Sequence, residues 1–186
     1  RDYKVTGVQT CALPISALGR SRAAALALAI FVFSQFSSTA ASIRVVATTG
    51  MVGDIAKAVG ADAIEVEVLM GPGVDPHLYK ATASDITRLQ KADIIFYSGL
   101  MLEGKMQDLF ERLAKSGKTT VALASKLPSN RLIFPKGAQG HPDPHIWFDV
   151  ALWSQTASVV ADALAAKAPS AAPSFQRNSL ECQAKL

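Results

Sequence analysis

The stretch "EVEVLMGPGVDPHLYKATASDITRLQKADIIFYS", Glu65–Ser98, decides the fold. Its first six residues, Glu65–Met70, alternate charge with β-branched or long apolar side chains, which is the pattern of a strand. A glycine- and proline-rich turn follows. A helix is then expected around Ser84–Ala92, with Thr82 and Asp85 at the spacing of a capping box. "DIIFYS", Asp93–Ser98, reads as the next strand.

Working outward, the same alternation continues in both directions. "IRVVAT", Ile43–Thr48, reads as a strand, and Met51, Val52, Ile55, Ala56 and Val59 fall on one face of a helix after it. Beyond Ser98, Met106, Leu109, Phe110 and Leu113 mark another helix, and "TVALA", Thr120–Ala124, a fourth strand. Strands alternating with amphipathic helices predict an α/β fold, a parallel sheet with helices on both faces. In such sheets ligands bind outside the carboxyl ends of the strands, where the turn carrying His77 emerges.

Leu127–Pro144 has no periodicity and is rich in proline and glycine, so it reads as a long loop of the kind that is either functional or disordered, and it ends on the second Asp-Pro-His. From Asp149 one helix is expected, with Val150, Trp153, Ala157, Val160 and Leu164 stepping by three and four along its core face. "KAPSAAPS" interrupts it. A further helical pattern begins near Pro173, carrying Phe175, Leu180 and Leu186, and the chain stops within it, which reads as a truncation.

The N-terminal part reads differently. Arg20 and Arg22 precede the apolar run "AAALALAIFVF", Ala23–Phe33, and "SSTAAS" follows, which is the layout of a cleaved secretory signal ending near Ser42. The 11-residue run is too short to span a bilayer comfortably. Arg1–Ser16 lies ahead of that signal, where no targeting logic places it, and is read as a non-native leader resembling translated adapter sequence. Residues 1–42 carry four Lys or Arg against one Asp, whereas residues 43–186 carry 15 against 14 acidic residues. The basic character is therefore mostly that of the leader, and no basic stripe supports nucleic-acid binding. Of the two cysteines, Cys11 lies in the leader and Cys182 is left single, so no disulfide framework exists. No cysteine closes the small-residue run, and a lipid-modified N-terminus is not expected.

Asp-Pro-His occurs twice, at Asp75–His77 and Asp143–His145. A neutral imidazole is the commonest protein ligand for zinc and its first-row neighbours, and the preceding proline stiffens the turn. One such tripeptide is most simply a tight turn. Two copies, each in a loop flanking an α/β sheet, favour a pair of metal ligands, His77 and His145. Asp75 and Asp143 are placed either to cap their turns or to accept a hydrogen bond from the ring and orient it. His141 reads as an exposed loop histidine. "GPGVD" lacks the residues of a phosphate loop or dinucleotide fingerprint, and neither Gly-x-Ser-x-Gly nor His-Glu-x-x-His is present. Glu103 is a candidate general base or, more simply, a turn or capping group.

"VDPHLYKATASDITRLQKADIIFYSGLMLEGKM" and "DPHIWFDVALWSQ" together resemble the solute-binding proteins of zinc- and manganese-type ABC importers, over about Ile43–Leu186. The resemblance implies two α/β lobes joined by one long helix, with a metal held between them. It maps the N-terminal lobe's two histidines onto His77 and His145, and assigns a His or Glu and an Asp to a second lobe. On that basis residues 43–168 are the N-terminal lobe, residues 169–186 the start of the interlobe helix, and the chain a fragment. The implied protein is a periplasmic monomer and not an enzyme. It carries Zn(II) or Mn(II) as transported ligand and docks transiently on a membrane permease. An adhesin-like role is an auxiliary implication. The competing readings are a zinc-dependent hydrolase built on the same histidines, with Glu103 or Asp149 as base, and a structural α/β domain with turn histidines.

Overall fold

The computed structural model describes residues 42–186. The leader, the signal region up to residue 41 and Cys11 lie outside the described residues. No helix among the described residues is long and apolar enough to cross a membrane.

Four parallel strands, β1 (Ile43–Thr49), β2 (Ile64–Met70), β3 (Ile94–Tyr97) and β4 (Thr119–Ala122), form one sheet in the order β2-β1-β3-β4. The central pair explains why the strands read as apolar runs. Val45, Val46 and Ala47 of β1 lie opposite Ile94, Ile95 and Phe96 of β3, and all six are buried because both faces of the sheet are covered. β2 is an edge strand, and its Glu65 and Glu67 are the polar half of its alternation.

Each helix covers one face. On one side α1 (Gly50–Gly60) packs Val52, Ile55, Ala56 and Val59 against Val45, Ala47, Ile94 and Phe96. On the other, α2 (Ala83–Lys91) and α3 (Gln107–Lys115) bring Leu89, Phe110 and Leu113 onto Val46 and Ile95. Alternate side chains of each strand thus serve two separate cores, the period-2 consequence of the pleat. The expected capping box is present: Thr82 Oγ1 accepts from the Asp85 N–H at 3.3 Å, and Asp85 Oδ2 accepts from the Thr82 N–H at 2.8 Å.

Three expectations are corrected. The fourth strand ends at Ala122, and Leu123–Lys126 turn into a 3-10 helix, because the Ala124 N–H leaves the ladder direction to donate to the Ser98 carbonyl at 3.0 Å. The helix expected from Asp149 is two helices, α4 (Val150–Trp153) and α5 (Thr156–Lys167), separated at Ser154–Gln155. Asp149 caps α4 through the Leu152 N–H, and the Thr156 hydroxyl donates to the Trp153 carbonyl at 2.7 Å across the break. Trp153, Ala157, Val160 and Leu164 are buried as the period predicts, but Val150 is exposed. The last helix, α6 (Ala172–Lys185), buries Phe175, Ser179 and Cys182, while Leu180 and Leu186 face solvent. Its contact face is set by packing on α1 and α5, and Asn178 donates to the Val59 carbonyl at 2.9 Å.

Because β1 and β2 wind one way and β3 and β4 the other, the strand order reverses between β1 and β3. The carboxyl ends of those two strands form the switch point, where an open α/β sheet leaves a crevice.

Candidate functional site

His77 stands in the loop that leaves β2. The loop is folded by the Val74 N–H on the Gly71 carbonyl and the Tyr79 N–H on the Asp75 carbonyl, with the Asp75 carboxylate accepting from the His77 N–H at 2.9 Å. Tyr79 then anchors the loop to α2, its hydroxyl donating to Asp85 Oδ2 at 2.7 Å. Burial acts to raise the Asp85 carboxyl, but hydrogen bonds from Thr82 and Tyr79 outweigh it and hold the group below its ordinary value.

His145 closes the long loop. The Asp143 N–H donates to the Ile133 carbonyl at 2.8 Å, and buried Ile146 pins the following turn. Here the aspartate does both tasks that the sequence left open. Asp143 Oδ1 accepts from the His145 N–H at 2.9 Å and meets the ring Nδ1 at 2.6 Å. The backbone N–H of His145, and then its ring, keep the Asp143 carboxyl below its usual range. An ionised carboxylate only accepts, so Nδ1 carries the proton, and a neutral His145 ring presents its lone pair at Nε2. Among the described hydrogen bonds, Asp75 has the backbone role alone.

The two rings converge. His77 Nε2 and His145 Nε2 are 3.3 Å apart, with ring centroids at 5.3 Å and planes inclined by 59°. With a proton on one Nε2 and the lone pair on the other, this is a long ring N–H···N hydrogen bond. Two imidazoles on one tetrahedral zinc, at about 2.0–2.1 Å each, have their nitrogens about 3.3–3.4 Å apart. The observed 3.3 Å equals that spacing. Trp147 meets the His145 ring edge-on at 5.2 Å between centroids.

The pair borders an open hollow of about 440 Å³, with Leu100 and Met101 on one wall and Pro142–Pro144 on another. His141 is exposed, as expected, but it lines the same hollow. Among the described residues no group of three or more His, Cys, Asp or Glu side chains is arranged to hold an ion. What converges on the hollow is a pair of imidazoles, with His141 beside them. A larger groove of about 510 Å³ over β1 and β2 holds charges rather than imidazoles, and Arg88 and Glu67 in it are already paired at 3.0 Å.

Neither candidate base is free. Glu103 is buried, accepting from the Thr48 hydroxyl at 2.6 Å and from the Ser98 and Gly99 N–H groups at 2.8 and 3.2 Å. Asp149 caps α4 and pairs with Arg131 at 2.7 Å. Of the readings offered by sequence, a general base or a turn or capping group, the contacts of Glu103 are those of a turn group: it ties the turn after β3 to the end of β1. Just before Glu103, Leu100 and Met101 sit at φ of 52° and 65°, a left-handed conformation that costs about 1–2 kcal/mol per ordinary residue. Sequence reasoning missed Thr48, Tyr79, Leu100 and Met101 as parts of the site. The Tyr79–Asp85 spacing was a usable signal; nothing in the pattern marks the other three.

Residues 45–186 match the family described as zinc-uptake complex component A, periplasmic. The chain is 40% identical to the manganese-binding lipoprotein MntA of Bacillus subtilis over 144 residues, covering 77% of this chain and 46% of that protein. It is 30% identical over 169 residues to the iron ABC transporter substrate-binding lipoprotein MtsA of Streptococcus pyogenes, covering 86% of this chain and 54% of that one. The fold superposes on the periplasmic zinc-binding protein TroA of Treponema pallidum with a TM-score of 0.71 at 37% identity, over 76% of this chain and 50% of that one. These relatives are named as binding proteins, not enzymes, and the chain spans about half their length. On its sequence and its fold alike, the chain belongs to the family described as zinc-uptake complex component A, periplasmic.

Proposed function

We propose that this chain captures Zn(II) or Mn(II) outside the cytoplasm for an ABC importer, with His77 and His145 as ligands. The carrying observation is the 3.3 Å separation of the two Nε2 atoms, with one ring oriented by Asp143. The ion is cargo, so the site's task is to bind and release it rather than to activate a substrate. Two imidazoles suit a borderline first-row cation, and the remaining positions are filled by water or by donors outside the described residues. Residues 43–168 then act as the N-terminal metal-binding lobe and residues 169–186 as the start of an interlobe helix. The protein works as a periplasmic monomer that docks on a membrane permease, without enzymatic activity or nucleic-acid binding. The engagement of Glu103 and Asp149 in structural contacts supports this over a hydrolase.

Calorimetric titration of Zn(II) and of Mn(II) into the chain, beside the His77→Ala/His145→Ala double variant, tests the reading. Binding that disappears in the variant is expected. Binding of equal strength in the variant would make the two Asp-Pro-His segments turn architecture only.

A further inference from the structure

We propose that Glu103 is a positioning residue for the histidine pair, locking the Gly99–Met101 loop that forms one wall of the hollow around His77 and His145. This rests on the metal-capture reading. Glu103 takes no part in the site directly, yet the residue is only 2% exposed and every hydrogen bond its side chain makes is one it accepts. Its donors come from both strands of the switch point: the Thr48 hydroxyl at the end of β1, and the Ser98 and Gly99 N–H groups just past β3. It therefore ties together the two strand ends between which the crevice opens.

The loop it holds is one that would not adopt this path by itself. Gly99, Leu100 and Met101 all have positive φ, at 89°, 52° and 65°, and the buried Ser98 hydroxyl has no partner among the described residues. Strain of this kind persists where surroundings over-determine it, and it clusters at ligand-binding positions. Three bonds to one buried carboxyl provide that constraint. Leu100 and Met101 are the residues the loop delivers to the hollow. If the lock is released, the loop relaxes toward ordinary backbone angles and the wall beside the imidazoles shifts.

The test uses the full chain and four variants. Glu103→Gln keeps the shape and, with its amide oxygen left on Thr48 and Ser98, turns its NH2 toward the Gly99 N–H, which is a donor–donor clash. Thr48→Val removes one donor, and Thr48→Ser restores it. His77→Ala/His145→Ala reports on the site itself. Zn(II) affinity is measured by calorimetry, and the imidazole and Leu100 and Met101 amide resonances by NMR without metal. The expected result is at least a tenfold loss of affinity in Glu103→Gln, with the imidazole resonances displaced and the Ile94–Phe96 amides in place. Thr48→Val should lose a smaller part, which Thr48→Ser recovers. Wild-type affinity and unmoved imidazoles in Glu103→Gln would overturn the proposal while leaving metal capture standing. If Glu103→Gln does not fold, equal affinity of Thr48→Val and Thr48→Ser would overturn it. Zinc binding that survives loss of both histidines would overturn metal capture, and this proposal with it.

Discussion

His77 and His145, separated by 68 positions in the chain, bring their Nε2 atoms to 3.3 Å, and only one of the two rings is held by its own Asp-Pro aspartate. This asymmetry makes the two Asp-Pro-His segments unequal despite identical sequence, and it yields a direct comparison.

Asp143→Asn should weaken Zn(II) binding by about 10–100-fold, since a partner that orients a ligating imidazole typically contributes that much. Asp75→Asn should cost less, because Asp75 accepts from the His77 backbone rather than the ring. Parallel calorimetric titrations of the two variants check the order; equal losses would show that the ring contact at Asp143 has no special weight.

Leu89 is fully buried beneath α2, in the core that α2 and α3 share with Val46 and Ile95. Leu89→Ala should destabilise the fold by about 2–5 kcal/mol, the range for a buried leucine truncated in a close-packed core. Urea unfolding followed by circular dichroism measures it, and a midpoint unchanged from wild type would contradict the packing.

Two glycines of α1 behave oppositely. A Cβ on Gly60 would lie 2.3–2.7 Å from three atoms of the Ile64 side chain. Gly60→Ala should therefore cost about 1–3 kcal/mol through overpacking. A Cβ on Gly50 meets nothing within 4 Å, and Gly50→Ala should be neutral or stabilising by up to about 1 kcal/mol, by reducing the freedom of the unfolded chain. Thermal melting of the pair reads the difference in sign.

Acid should weaken the fold through Asp93. Its carboxyl is held below the ordinary 3.8 by the Arg44 N–H first, and by the Arg44 and Lys167 side chains, against some desolvation. A folded pKa below the unfolded one means stability that is fully present above the unfolded value and lost as pH falls through the folded one. Unfolding midpoints taken from neutral pH down to about pH 3 should fall more steeply for wild type than for Asp93→Asn. Parallel curves would remove Asp93 from the account.

Much of this protein was legible without coordinates because the signals involved are local. Period-2 and period-3.6 patterns are imposed by backbone geometry, so three strands and the helices at Met51–Val59, Ser84–Ala92 and Pro173 onward appeared where residue pattern alone places them, as did the Thr82–Asp85 cap. The repeated Asp-Pro-His marked the two histidines whose rings converge because a proline-fixed imidazole is an uncommon feature of a turn. Other features depended on which distant segments meet. That α5 starts afresh after Ser154–Gln155, and that Ser179 and Cys182 rather than Leu180 face the core, follow from packing against α1 and its neighbours. A helical period defines a stripe but does not select the partner that covers it. The inward turn of Glu103, the left-handed Leu100–Met101 pair and the different duties of Asp75 and Asp143 came from tertiary structure alone. They are contacts between strand ends and loops across the switch point, and a linear pattern holds no record of the distances across it.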